Sequence, residues 1–248
     1  MKNRIYFLLL ICLVFVIFWG ACGSDANVKT TADLPPVSVT EKKEKPIVTP
    51  EKKELIPVAD YDTAKWTDVH FLDKSILLDI RYATDNNFVE EQLYECGRCF
   101  LRPAVAKAML AAHHELQKQG LGLKMYDCYR PRPIQQKLWD KVPNASYVTP
   151  PARGSMHNRG LSIDVTIVDQ SGKELEMGTT YDFFGKRAHH TFTDLPKTVL
   201  ANRKMLKELM YKHGFLHIRT EWWHYSYTLG KYELSDMLWK CDDHETKN

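Results

Sequence analysis

Leu161, Ile163, Val165 and Ile167 alternate with Ser162, Asp164 and Thr166. A period of two held over this run fits a strand with one face turned to a core, so the chain must be built around a sheet. The flanking segments narrow the fold class. Pro103 stands where a first helical turn tolerates proline, and Val105, Ala106, Met109, Leu110 and Leu116 recur at helical spacing up to Gly120. Ser75 to Tyr82 and Leu121 to Tyr129 have strand character. Arg130, Pro131, Arg132 and Pro133 close the second of these, and a short helix is expected from Ile134 to Trp139. Val199, Leu206, Leu209 and Met210 mark another helix with Gly214 as its stop, before a last pair of strands at Phe215 to Ile218 and Trp222 to Tyr227. Helices and strands do not alternate regularly and nothing repeats on the scale of a solenoid. The expectation is an α+β fold: a single compact domain with a mainly antiparallel sheet flanked by helices, and any metal site placed on the sheet.

The first part of the chain carries other information. Lys2 and Arg4 precede an almost continuous apolar run from Ile5 to Trp19, and Gly20 and Ala21 then stand before Cys22. This is the layout of a bacterial lipoprotein signal, with cleavage leaving Cys22 lipidated and the protein anchored to a membrane in the cell envelope. The apolar run is shorter than the roughly 20 residues a permanent spanning helix needs. Beyond it, Pro35, Pro36, Pro46, Pro50 and Pro57 and two copies of Glu-Lys-Lys-Glu, at Glu41 and Glu51, make an extended, soluble spacer. The expected organisation is a signal at 1–22, a tether at 23–60, a catalytic domain at 61–241 and a tail at 242–248. The net charge of +3 owes much to the leader and tether, so composition points to no nucleic-acid partner.

Outside the leader remain Cys96, Cys99, Cys128 and Cys241. In an exported chain an even number suggests disulfides, and four cysteines allow three connectivities that sequence cannot separate. Cys96 and Cys99 also form a C-x-x-C before a predicted helix. A thiol–disulfide role would need a βαβ setting that is missing, and a zinc clip would need a second close cysteine pair.

Chemistry concentrates in two blocks: Ser155, His157, Gly160 and Asp164, then Glu221, Trp222, Trp223, His224 and Tyr225. A hydrolytic zinc site needs three protein ligands, an open position and a nearby carboxylate to accept a proton. His157, Asp164 and His224 can supply the ligands and Glu221 the base, with Asp164 on the polar face of its strand and Leu161, Ile163 and Val165 packed behind. The bland readings stand beside this one. A lone aspartate on a polar strand face is ordinarily solvated, Arg130 before Pro131 can be a turn arginine, and Asp182 can be a cap. No H-E-x-x-H is present. His113 and His114 read as partly exposed and structural, His189 and His190 as loop histidines or supports of a ligand, and Trp222 and Trp223 as packing around the metal site.

The pattern S-x-H-x-x-G-x-x-x-D followed by E-W-W-H resembles the zinc D-Ala-D-Ala peptidases, in particular the VanX-type dipeptidases. Arg81 to Phe88, Tyr126 to Pro131, Met177-Gly178 with Tyr181 to Phe183, and His189-His190 extend the resemblance in family order from Trp66 to Tyr225. It implies one Zn2+ per chain held by His157, Asp164 and His224, with Glu221 as general base and Arg130 stabilising the oxyanion. It further implies Tyr82, Ser155 and Asp182 at the ends of the substrate D-alanyl-D-alanine, Asp182 facing the ammonium. This sequence departs from simpler relatives in its leader and tether, its C-x-x-C and Cys128. An exported enzyme cannot reach dipeptide made in the cytoplasm, so scavenging or wall turnover is the expected role. The rival readings are a carboxypeptidase or endopeptidase trimming longer peptidoglycan peptides, a non-catalytic zinc-binding envelope lipoprotein, and a thiol–disulfide protein.

Overall fold

A computed structural model describes residues 59–241. The signal with Cys22, nearly all of the tether and the tail at 242–248 lie outside the described residues. Among those described, three α-helices and seven strands form an α+β fold. Strands β1 (Thr67–Asp68) and β3 (Phe100–Leu101) make a small antiparallel ladder. The main sheet has five strands in the order β2-β4-β5-β7-β6, from β2 (Leu77–Leu78), β4 (Leu121–Asp127), β5 (Ser162–Asp169), β6 (Phe215–His217) and β7 (His224–Tyr227). Helices α1 (Pro103–Gln117), α2 (Arg132–Lys141) and α3 (Lys197–Lys212) accompany it. No helix among the described residues is long and apolar enough to cross a membrane.

The sheet is mixed, which corrects the expectation of a mainly antiparallel one. β2 runs parallel to β4, while the pairings β4–β5, β5–β7 and β6–β7 are antiparallel. The parallel edge follows from connectivity, because α1 lies between β2 and β4 in the chain and supplies the crossover that a parallel pair requires. The expected strand at Ser75 to Tyr82 is also shorter. Only Leu77 and Leu78 pair, and the chain then turns into a 3-10 segment at Arg81–Ala83 that buries Tyr82. Ile76 and Ile80 are buried by packing rather than by pairing, which is why the segment has strand-like composition.

The alternation in β5 is real but its polar face is not solvated. Ser162, Asp164 and Thr166 are as buried as Ile163, Val165 and Ile167, because the sheet is covered on both sides. Polar atoms there must find partners, so the face is a place for a built site. His113 corrects another reading. It is buried on α1, where its Nδ1 accepts the Leu123 N–H at 3.1 Å, leaving Nε2 to donate to Ser75 Oγ at 2.9 Å. Gly122 gives it room, since a Cβ there would meet the ring at 3.2 Å. Burial lowers its pKa, so it serves as a neutral clamp between α1 and β4.

The four cysteines form two disulfides, Cys96–Cys241 and Cys99–Cys128. Each half of the C-x-x-C is bonded elsewhere, which removes the thiol–disulfide reading. The first bond ties down a C-terminal strap without regular structure. Along that strap Arg159 donates to Tyr232 O, Ser235 N–H to Asn158 O and Tyr129 Oη–H to Met237 O. The strap therefore backs the turn that carries His157. The second bond fastens Cys128, at the end of β4, to the residue before β3.

Candidate active site

Strand register brings the principal residues together. Asp164 of β5 lies opposite His224 of β7 on one side and opposite Asp127 of β4 on the other. His157 reaches the same place from the 3-10 turn His157–Arg159 just ahead of β5. Gly160 closes that turn with φ of 70°, and a Cβ there would lie 2.5 Å from the Trp66 ring, so glycine is required twice over. The turn is held to the end of β4 by the Arg130 N–H to His157 O bond at 3.1 Å.

The three side chains offer donor atoms that all lie within 4.8 Å of one another. His157 Nε2 is 3.1 Å from His224 Nδ1 and 3.4 Å from Asp164 Oδ1, and His224 Nδ1 is 3.0 Å from Asp164 Oδ1. The outer atoms fix the inner ones. His157 Nδ1 is 2.7 Å from Cys128 O, to which it donates, leaving Nε2 with a lone pair. His224 Nε2 is 3.1 Å from Ser226 Oγ, which leaves its Nδ1 toward the cluster. The Tyr181 hydroxyl donates to Asp164 Oδ2 at 3.0 Å, leaving Oδ1 for the histidines. Burial opposes the ionisation of Asp164, yet the two histidines hold its carboxyl well below the usual range. Two imidazole nitrogens and a carboxylate oxygen this close together need a proton or a metal cation among them. Tetrahedral zinc about 2.0–2.1 Å from each donor would space its ligands by roughly 3.3–3.4 Å, and the observed edges are close to that. The donor set fits the ion that the sequence led us to expect.

Glu221 precedes β7, with Oε2 3.9 Å from His224 Nδ1 and its side chain 20% exposed. Burial pushes its carboxyl up to about 7, Asp164 adding to the effect and His224 opposing it. Arg130 is buried. Its Nε and Nη2 both donate to Asp127 Oδ2, at 3.0 and 2.7 Å, and Nη1 donates to Gln135 Oε1 at 3.0 Å. Tyr94 donates to the other oxygen of Asp127 at 3.0 Å. Three of the five guanidinium protons are committed there, so two remain for a ligand.

Tyr82 lies over Arg130, its ring centroid 5.0 Å from Cζ, and its hydroxyl donates to Asp182 Oδ2 at 3.0 Å. Asp182 adopts φ of 55°, a left-handed conformation that costs a non-glycine residue energy. Burial, then Asp164 and Glu221, push its carboxyl well above the ordinary range. An ammonium placed beside it would reverse that effect. Ser155 N–H donates to Asn158 Oδ1 at 2.8 Å, and Asn158 Nδ2 donates to Arg130 O at 2.8 Å, so the Ser155 turn and the arginine move as one piece.

Arg130, Ser155, His157, Glu221 and His224 line one cavity of about 320 Å³. Asp164, Tyr82 and Asp182 are not among its lining residues and reach it through the contacts given above. Larger hollows of about 480 and 460 Å³ open beside His113 and Arg187 and contain none of the ligand trio, so chemistry rather than size locates the site. Sequence reasoning missed Asp127, Gln135, Tyr94, Tyr181 and Asn158. Asp127, three residues ahead of Arg130, was the one visible in principle as a charge partner. Trp222 and Trp223 are buried, Trp223 against the Tyr181 ring at 5.4 Å and Trp222 donating to Thr179 Oγ1 at 2.8 Å. His190 packs against His217 with ring centroids 4.2 Å apart, and neither His189 nor His190 hydrogen-bonds to the ligand side chains.

The Peptidase_M15 family model, described as D-ala-D-ala dipeptidase, matches residues 62–236. A D-alanyl-D-alanine dipeptidase of Escherichia coli (strain K12) is 33% identical over 164 residues, covering 66% of this chain and 85% of that protein. One of Enterococcus faecalis (strain ATCC 700802 / V583) is 31% identical over 179 residues, covering 62% and 89%. Among solved structures, the LdcB LD-carboxypeptidase aligns over 68% of this chain and 70% of its own at 19% identity, with a TM-score of 0.38.

Proposed function

This chain belongs to the Peptidase M15 family of D-Ala-D-Ala dipeptidases and is a metallopeptidase, and on that premise we propose that it hydrolyses free D-alanyl-D-alanine with one zinc ion per chain. The carrying observation is the convergence of two imidazole nitrogens and one carboxylate oxygen, with both imidazoles lining one cavity together with Glu221 and Arg130. His157, Asp164 and His224 would hold the ion. When bound, it supplies Lewis acidity that makes water a competent nucleophile at neutral pH and polarises the scissile carbonyl. Glu221 takes the proton from the attacking water and can return it to the leaving amine. Arg130, rigid on Asp127 and Gln135, offers its two remaining N–H groups to the oxygen on which negative charge develops.

Substrate length follows from Asp182 and Tyr82. A half-buried carboxylate such as that of Asp182 is stabilised by a free ammonium and left without a counter-charge by an acylated nitrogen, so an extended peptide is disfavoured. The test is release of D-alanine by the protein with and without a chelator. Hydrolysis of D-Ala-D-Ala that stops on chelation and returns with zinc is the expected result, with L-Ala-L-Ala and a D-Ala-D-Ala-terminated pentapeptide left intact. Chelator-resistant hydrolysis would sink the metal assignment. Trimming of the pentapeptide in preference to the dipeptide would move the function to a carboxypeptidase.

We also propose that the enzyme works in the cell envelope, anchored through lipid on Cys22. Support comes from the leader pattern and from the two disulfides, which persist in oxidising compartments. Cys22→Ser is expected to move the protein from the membrane fraction to the soluble fraction. Unchanged fractionation would refute the anchor.

A further inference from the structure

A dipeptide with free ends is a zwitterion, so a site built for it needs a cation for the carboxylate as well as an anion for the ammonium. Asp182 answers the ammonium. Among the residues lining the cavity, only Arg130 and Arg153 carry a fixed positive charge. Arg130 has its own charge balanced by Asp127 at 2.7 Å, and three of its five donors are already committed. Arg153 differs. It is exposed on the cavity wall, and its guanidinium makes no hydrogen bond or ion pair among the described residues.

The backbone presents Arg153 firmly. Its N–H bonds to Pro150 O at 3.0 Å, and the next residue, Gly154, has φ of 69° with Leu234 of the C-terminal strap so close that a Cβ would lie 2.4 Å from it. Two residues on, Ser155 is tied through Asn158 to Arg130. Arg153 therefore stands exposed on the same stretch of cavity wall as Ser155 and His157, whereas Asp182 is not part of that wall and is hydrogen-bonded to Tyr82. An exposed arginine is ordinarily just a solvated charge. This one shares a 320 Å³ cavity with the proposed reacting groups and has all five donors free.

We propose that Arg153 is the specificity-determining residue that receives the substrate's terminal carboxylate, and so makes the enzyme prefer free dipeptides to those blocked at the C-terminus. The proposal rests on the reading of the site as a dipeptidase. Its planar fork suits a carboxylate better than a lysine ammonium does.

The experiment compares D-Ala-D-Ala with its C-terminal amide, in the unaltered enzyme and in Arg153→Met, Arg153→Lys and Arg153→Glu. Arg153→Met should raise KM for the free acid roughly tenfold with kcat little changed, and leave the amide unaffected, so that the acid-to-amide preference collapses. Lysine should restore part of the preference, glutamate should invert it, and high salt should weaken it in the unaltered enzyme. Calorimetric titration of Glu221→Gln, with and without Arg153→Met, reads the same preference as binding without turnover. Dipeptide hydrolysis with full acid-over-amide discrimination in Arg153→Met would overturn this assignment alone. Failure of the unaltered enzyme to bind or cleave either compound would overturn the dipeptidase reading and this inference with it.

Discussion

Glu221→Gln lowers kcat on D-Ala-D-Ala by roughly a hundred- to ten-thousandfold, the usual contribution of a positioned general base, while zinc content stays at one ion per chain. The substitution keeps the volume of a side chain that is only 20% exposed, so packing and metal affinity are little disturbed. It removes the carboxylate beside the ligand trio that is free to accept a proton, since Asp127, 3.6 Å from His157 Nδ1, has both oxygens committed to Arg130 and Tyr94. Asp164 cannot substitute, because one of its oxygens is held by Tyr181 and the other faces the two histidines. Asp182 cannot either, because it is hydrogen-bonded to Tyr82 and does not line the cavity that Glu221 shares with the two histidines. The pH profile offers a second reading. Glu221 must be ionised to accept a proton, so kcat/KM should fall as pH drops through its pKa. Burial, with His224 and Arg130 opposing it and Asp164 adding to it, pushes that carboxyl up to about 7, and a dication beside it would pull it back down. The acid limb should therefore lie at or below about pH 7, and should disappear from whatever activity Glu221→Gln retains. Zinc content and kcat measured together decide the matter: near-normal turnover in a zinc-loaded variant would remove Glu221 from the mechanism.

How far the sequence reveals this site depends on the range of the interaction concerned. β5 is legible because alternation is a local property, and α1 and α3 because their apolar spacing is local too. The sequence could not say that Asp164 lies opposite His224, sixty residues later, since register is fixed by packing of the whole sheet. The resemblance to a family supplied that pairing, and the geometry then gave it a physical form. The mixed sheet was missed for a related reason. A two-residue strand such as Leu77–Leu78 has too few positions to show a period, and its parallel direction is set by the α1 crossover rather than by its own residues. Burial of His113 was hidden because a helix can place a histidine over a glycine, and Gly122 belongs to another element. The cysteine connectivity is likewise a property of the closed fold: Cys96 and Cys99 are neighbours in sequence, yet one anchors the C-terminal strap and the other the end of β4.

Arg130→Ala should cost both activity and stability, and the two losses have separate causes. On the catalytic side, loss of an oxyanion donor typically lowers kcat by roughly a hundred- to thousandfold, and the two uncommitted guanidinium protons are the donors at stake. On the structural side, Asp127 is fully buried and its Oδ2 accepts two bonds from Arg130. Removing the arginine leaves a buried carboxylate with only the Tyr94 hydroxyl as partner, a change that typically costs about 3–5 kcal/mol. Such a loss is a large share of the stability of an ordinary domain, so low activity in this variant alone would not identify a catalytic role. The double variant Arg130→Ala, Asp127→Asn separates the causes, because it removes the stranded charge together with the donor. Its urea midpoint should recover most of the stability lost in the single variant, while kcat stays down by the same hundred- to thousandfold. Recovery of both together would make Arg130 a structural residue whose proximity to the metal ligands is incidental. Recovery of stability alone assigns it to the charge that develops in the reaction.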